Sequence, residues 1–194
     1  GEYAAASGIE IFLQGGGHDS VVNLDGGPAL LAYRVDGLRL EFRPNDFTQV
    51  NAAINARMVS RALELLAPAA DDTVVDLYCG LGNFTLPLAR RVRRAIGVEG
   101  EQSLVERARA NAELNAIDNA EFAVLDLADG EACARLELGG VNKLLLDPPR
   151  SGAPAVLERG LLADVERLVY VSCNPVTFAR DAAVLVREHR FRLA

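Results

Sequence analysis

Asp76-Leu-Tyr-Cys-Gly80-Leu-Gly82-Asn83-Phe-Thr85 is the stretch on which the reading of this chain turns. It leaves an apolar run, Thr73-Val-Val-Asp-Leu77, and its glycines at 80 and 82 allow a sharp turn and close approach to a ligand before a helix expected from about Asn83. Outward from it, short apolar runs without polar alternation recur between helical patterns. They are Ala95-Ile-Gly-Val98, Glu121-Phe-Ala-Val-Leu125, Lys143-Leu-Leu-Leu146 and Leu168-Val-Tyr-Val171, with helices over about Gln102 to Asn115 and from about Thr177. Strands of this kind are buried on both faces, so the pattern predicts an α/β protein with a mostly parallel sheet and helices on both sides. In such sheets ligands collect at the carboxyl ends of the strands, and every motif discussed below falls at one of them.

Upstream, four short β-type runs (Ile9–Leu13, Ser20–Leu24, Ala29–Tyr33 and Leu38–Phe42) are separated by Gly15-Gly-Gly17, Gly26-Gly-Pro28 and Asp36-Gly37. Residues 1–44 therefore read as a small antiparallel β appendage, ahead of a main domain over 45–194. Within that domain, Asn51 to Leu66 has helical apolar spacing and Pro68 ends it. With 194 residues, half of them hydrophobic, the chain is long enough to bury a sizeable core without disulfides or a structural metal. Cys79, Cys133 and Cys173 are odd in number and far apart, and His18 and His189 are the two imidazoles, so no metal site is expected. No apolar run approaches a membrane span, and the start Gly-Glu-Tyr-Ala lacks the order of a signal peptide, so a cytoplasmic location is expected. The net charge of -7 argues against holding a long nucleic acid by bulk charge; such a partner needs a local basic patch or another module.

The chemistry of the strand ends narrows the ligand. Glu99 closes the strand after the glycine turn, where a carboxylate can accept both hydroxyls of a ribose. Thr85 stands where a dinucleotide fingerprint wants Gly or Ala, and no basic cluster is present for a pyrophosphate. An adenosine without phosphates fits better, and S-adenosylmethionine is the expected cofactor, with Asp76 near its cationic end and Asp126 a candidate for the adenine amine. A plain strand-to-helix turn and a helix-capping or solvated Asp126 are the structural alternatives. At the other end, Asp147-Pro-Pro-Arg150 fixes a turn with two prolines, holding Asp147 and projecting Arg150. Amino-methyltransferases carry an aromatic in the fourth position of a related loop, and Arg150 stands there instead. Ser172-Cys-Asn-Pro175 places Cys173 at a strand end facing a helix amino terminus, a setting that favours a thiolate nucleophile over a small buried hydrophobe. Cys79 and Cys133 read as structural.

With these residues assembled, the chain resembles the S-adenosylmethionine-dependent RNA uracil-5-methyltransferases of ribosomal and transfer RNA. The resemblance is carried by Asn45-Asp-Phe47-Thr-Gln49-Val-Asn51, the 76–85 stretch, Gly97-Val-Glu99-Gly100, Asp147-Pro-Pro-Arg150 and Ser172-Cys-Asn-Pro175. It implies a Rossmann-like methyltransferase fold and makes Gln49, Tyr78, Asn83, Glu99, Asp126 and Asp147 cofactor-site residues, beside Asp76, Gly80 and Gly82. It also makes Cys173 the nucleophile that attacks carbon 6 of uracil, with Asp147 and Arg150 placed to hold the uracil edge. The expected partner is RNA, ribosomal RNA first, with no membrane, no metal, and a monomeric protein. The family's general base is a Glu in a motif one strand past the Cys helix, whereas this chain stops at Phe191-Arg-Leu-Ala194; a catalytic-domain fragment is expected. Many members also carry an RNA-binding β-barrel, and some an iron-sulfur cluster, neither of which appears here. The alternatives are an amino-methyltransferase, which leaves Cys173 without a task, and a cofactor-binding fragment without turnover.

Overall fold

A computed structural model describes residues 7, 9–17, 20–27, 29–136, 139–157 and 162–194. His18, Pro28 and residues 1–4, which entered the sequence reading, lie outside the described residues. Five parallel strands form the central sheet: β5 (Thr73–Leu77), β6 (Arg94–Glu99), β7 (Ala120–Val124), β8 (Lys143–Leu146) and β9 (Arg167–Tyr170), in the order β7-β6-β5-β8-β9. The order reverses between β5 and β8, which opens a crevice at their carboxyl ends.

Side chains of β5 alternate between two cores. Val74 packs with α1 (Ala52–Leu66), α2 (Thr85–Ala89) and α3 (Gln102–Leu114), whereas Val75 and Leu77 pack with α4 (Gly130–Ala134), α5 (Pro154–Leu157) and α6 (Pro175–Arg187). Gly97 lies on the first face because a Cβ there would sit 2.7 Å from the Phe122 ring and 2.9 Å from the Cys79 sulfur. Asn51 caps α1 by accepting the Ile54 N–H at 3.0 Å, and left-handed Ala67 (φ 47°) closes it before Pro68.

Two antiparallel strand pairs precede the sheet. β1 (Phe12–Gln14) and β2 (Val21–Asn23) form one, with Leu13 and Val22 about half exposed. β3 (Leu31–Val35) and β4 (Leu38–Phe42) form the other, a hairpin whose Val35, Leu38 and Leu40 are buried in the first core. The β3 run expected over Ala29–Tyr33 is shifted, because Asp36 and Gly37 both have positive φ. Such a two-residue turn pairs Val35 directly with Leu38, so the strand runs up to it.

The outer edge of β4 meets two amides, Asn111 of α3 and Asn115, the residue that caps its end. Asn115 accepts the Arg39 N–H at 3.0 Å and donates to the Arg39 carbonyl at 2.7 Å. Asn111 does the same for Glu41, at 2.8 and 3.1 Å. The match is geometric: four helical residues rise about 6 Å, close to the roughly 6.8 Å between alternate strand residues.

Candidate active site

The glycine-rich turn is built on strain and on Glu99. Tyr78 adopts φ 67°, a left-handed conformation costly for a large side chain, and Gly80 and Gly82 follow at 55° and 93°. The Tyr78 and Cys79 N–H groups both donate to the Val98 carbonyl, at 2.9 and 3.1 Å, tying the turn to β6. Glu99 Oε2 accepts the Gly80 N–H at 3.0 Å, and Oε1 accepts those of Gly100 and Glu101 at 2.7 and 3.2 Å. Because Gly82 still turns the chain, the helix expected from Asn83 starts at Thr85.

Register places three acids together. Asp76 pairs with Gly97 of β6 and Leu145 of β8, and Glu99 and Asp147 lie two residues beyond those partners on the same face. Asp76 is buried; its Oδ2 accepts the Thr85 hydroxyl at 2.5 Å, while Oδ1 is buried without a partner. Burial, reinforced by Asp147 and Glu99, pushes Asp76 up to about 8, against the opposing bond from Thr85. Burial likewise lifts Asp147 to about 6. Among the described residues no group of His, Cys, Asp and Glu has a metal-holding arrangement. The three acids instead gather at the carboxyl ends of neighbouring strands, where burial favours the protonated form of Asp76.

Other expected residues are placed differently. Asn83 turns toward the hairpin: its amide pairs reciprocally with buried Asn55 of α1 at 2.9 Å, and its Oδ1 accepts the Tyr33 hydroxyl at 2.8 Å. Tyr78 reaches the Leu127 carbonyl at 3.4 Å, beyond the end of β7. Asp126 is exposed and accepts the Ala128 N–H at 2.9 Å in a local turn, while Asp129 rather than Asp126 caps the helix that follows. Gln49 is exposed ahead of α1, between Phe47 and Val50, which are 78% and 100% exposed. Thr85, which in the sequence marks only a departure from a dinucleotide fingerprint, also carries chemistry: its hydroxyl is the partner of Asp76.

On the other flank, Cys173 is exposed while Cys79 and Cys133 are buried. The helix expected from Thr177 begins at Pro175, because Asn174 caps it by accepting the Val176 N–H at 3.1 Å and proline suits the first position. Asn174 also donates to the Arg150 carbonyl at 3.0 Å, joining the Cys173 loop to the Asp147-Pro-Pro-Arg150 loop. Arg150 itself is exposed.

An open parallel sheet of this order, with a glycine-rich turn after the first strand and an acid closing the next, defines a Rossmann-like methyltransferase fold. A family model described as tRNA (Uracil-5-)-methyltransferase matches residues 30–194, and the chain belongs to that family. It is 52% identical over 188 residues to the 23S rRNA (uracil(1939)-C(5))-methyltransferase RlmD of Stenotrophomonas maltophilia, covering 96% of this chain and 42% of that protein. The RlmD of Xanthomonas campestris is 51% identical over 194 residues, covering 99% of this chain and 44% of the relative. The chain thus spans less than half the length of these relatives. The solved tRNA (uracil-54, C5)-methyltransferase of Pyrococcus abyssi, in complex with S-adenosyl-L-homocysteine, superposes with a TM-score of 0.69 at 32% identity, over 81% of this chain and 38% of that one.

Proposed function

We propose that this chain is the catalytic unit of an RNA uracil-5-methyltransferase that transfers a methyl group from S-adenosylmethionine to carbon 5 of a uridine in ribosomal RNA. The observation that carries the reading is Cys173: it is exposed past the end of β9, ahead of the cap of α6, and joined through Asn174 to the loop of Asp147. Ribosomal RNA is favoured over transfer RNA because the chain is 52% identical to an rRNA-directed relative and 32% identical to the tRNA-directed one.

The residues present fit the cofactor. The unpartnered Asp76 Oδ1 and the neighbouring Glu99 and Asp147 carboxylates suit a ligand that carries positive charge and hydroxyls rather than phosphates. Glu99 and the Gly80 to Asn83 turn would hold the ribose side, Asp76 and Asp147 the cationic side, with Gln49, Tyr78 and Asp126 bordering the pocket. Bound there, S-adenosylmethionine supplies an electrophilic methyl group.

Carbon 5 of uracil is a weak nucleophile, and Cys173 removes that obstacle. Its thiolate adds to carbon 6; the electrons of the carbon 5–carbon 6 bond move toward the carbon 4 oxygen, and carbon 5 becomes nucleophilic. Arg150 and Asp147 hold the uracil edge and its oxygens. After methylation, a base takes the carbon 5 proton and the sulfur leaves carbon 6.

The test is a tritiated-methyl assay on unmodified ribosomal RNA, using the complete product of the coding sequence. Cys173→Ala abolishes transfer while S-adenosylhomocysteine still binds, and Cys79→Ala keeps substantial activity. Transfer by Cys173→Ala at the parent rate overturns the covalent mechanism.

A further inference from the structure

The loops carrying Asp147 and Cys173 are joined along one face of α6. Asn174 Nδ2 and Thr177 Oγ1 both donate to the Arg150 carbonyl, each at 3.0 Å. Further along the helix, Arg180 Nη2 donates to the Ser151 carbonyl at 2.7 Å, and Asp181 Oδ2 accepts the Ala153 N–H at 2.8 Å. Gly152, between them, has φ 80°, and a Cβ there would run into the Asp181 carboxylate and the Arg180 guanidinium. Asp181 is 1% exposed yet fully engaged. Besides Ala153, it accepts the Tyr170 hydroxyl at 2.6 Å and the Arg180 Nε at 2.8 Å. Tyr170 is the last residue of β9 and stands three positions before Cys173.

One buried carboxylate therefore ties together three elements: the strand that ends just before Cys173, the helix that begins just after it, and the loop that descends from Asp147. Arg180 neutralises its charge, and burial with the Asp181 bond raises the Tyr170 phenol and keeps it a donor. None of these three side chains lies in the motifs that carry the family resemblance.

We propose that Asp181, held by Arg180 and Tyr170, is a positioning residue that sets the Cys173 sulfur relative to the Asp147–Arg150 loop for attack on the pyrimidine. The proposal rests on Cys173 being the nucleophile. A covalent addition depends on the distance and angle between sulfur and carbon 6, and a displacement of about 1 Å costs on the order of 10²-fold in rate. A residue that merely supports the fold would instead lower stability and cofactor binding together. Of the cofactor-side groups, Asp76, Glu99 and the Gly80–Gly82 turn lie at the ends of β5 and β6, outside this network, and only Asp147 adjoins it, so binding through the first set separates the two roles experimentally.

The measurement uses the complete product of the coding sequence, S-adenosylmethionine, and RNA carrying fluorine in place of the carbon 5 hydrogen of uridine. The sulfur–carbon 6 bond forms and carbon 5 takes the methyl, but no proton remains there to be removed, so the adduct persists and is counted on a denaturing gel. Titration with S-adenosylhomocysteine counts the cofactor-competent molecules in each preparation. Asp181→Ala slows adduct formation per competent molecule by roughly 10- to 100-fold, while S-adenosylhomocysteine affinity stays within about twofold. Tyr170→Phe and Arg180→Lys each remove part of the network and slow it less, and kcat falls more than KM for RNA rises. Should Asp181→Ala not fold, these two milder variants decide the matter. An unchanged adduct rate per competent molecule in the folded variants overturns the proposal. Adducts formed by Cys173→Ala at the parent rate overturn the nucleophile assignment instead.

Discussion

Glu99 at the end of β6 and Cys173 past the end of β9 occupy corresponding places on the two flanks of the sheet, but they are held in opposite ways. Both carboxylate oxygens of Glu99 are engaged by backbone N–H groups of the turns around them. Asp76 is likewise bound to Thr85, and Asn83 to Asn55 and Tyr33. Cys173 is exposed, and its neighbours rather than its own sulfur secure it: Asn174, Thr177, Arg180 and Asp181 grip the adjoining loop. On the first flank, the residues proposed to meet the cofactor also hold the fold, so binding and stability are expected to be coupled. On the second, the proposed nucleophile is exposed while a separate network holds the loops around it.

The largest expected effect that tests this contrast is at Glu99. Glu99→Ala leaves three N–H groups without an acceptor and deprives the ribose of its own, a loss of about 1.5–3 kcal/mol for charged hydrogen bonds. Calorimetry should show S-adenosylhomocysteine affinity weakened roughly tenfold or more, and the melting temperature should fall with it. A weakened affinity at unchanged melting temperature breaks the coupling claimed for this flank.

Gly97→Ala comes next. The added methyl must displace the Phe122 ring or the Cys79 sulfur, an overpacking that costs about 1–3 kcal/mol. Denaturant unfolding checks it, and an unshifted midpoint would show that this core yields more readily than its packing implies.

The third effect is on pH dependence. Asp76 sits at about 8, above its ordinary 3.8, so the folded protein binds an extra proton between those values. Its contribution to stability is full below the ordinary value and is lost as pH rises toward 8. A positively charged ligand favours the ionised form, so preference for S-adenosylmethionine over its uncharged-sulfur product should grow from pH 6 to 8. Asp76→Asn removes both trends, and a preference independent of pH in the parent protein places the sulfonium away from Asp76.

The smallest effect belongs to Cys173→Ser. An exposed substitution away from any packing should leave stability within about 0.5 kcal/mol, although methyl transfer is lost. A large drop in the unfolding midpoint would show that the sulfur itself supports the fold.

The legible parts of this molecule are those whose chemistry is local. β5, β8 and the turn at Gly80 announce themselves because an unalternating apolar run followed by glycines leaves few conformations open. Cys173 stands out because a strand end, a cap residue and a proline follow one another within a few positions. Asp181 is silent in sequence because its partner Ala153 lies 28 residues away, and an aspartate within a helix reads as a solvated one. Asn111 is silent for the same reason, being 70 residues from Glu41. The shift of β3 was also beyond reach of the apolar pattern, since only the positive φ of both Asp36 and Gly37 fixes how closely the two strands approach their turn.

Asn111 of α3 and its C-cap Asn115 have a consequence for behaviour in crowded solution. A two-stranded hairpin always has outward-facing peptide groups, and such edges recruit strands from other molecules and seed aggregates. On β4 those groups, at Arg39 and Glu41, are taken by the side-chain amides of Asn115 and Asn111, which offer a donor and an acceptor each, as a neighbouring strand would. A helix thereby shields the edge without presenting a new one. Substituting either asparagine with leucine would keep the helix and its packing volume but bare a strip of peptide backbone, turning a self-contained hairpin into a template for intermolecular β pairing.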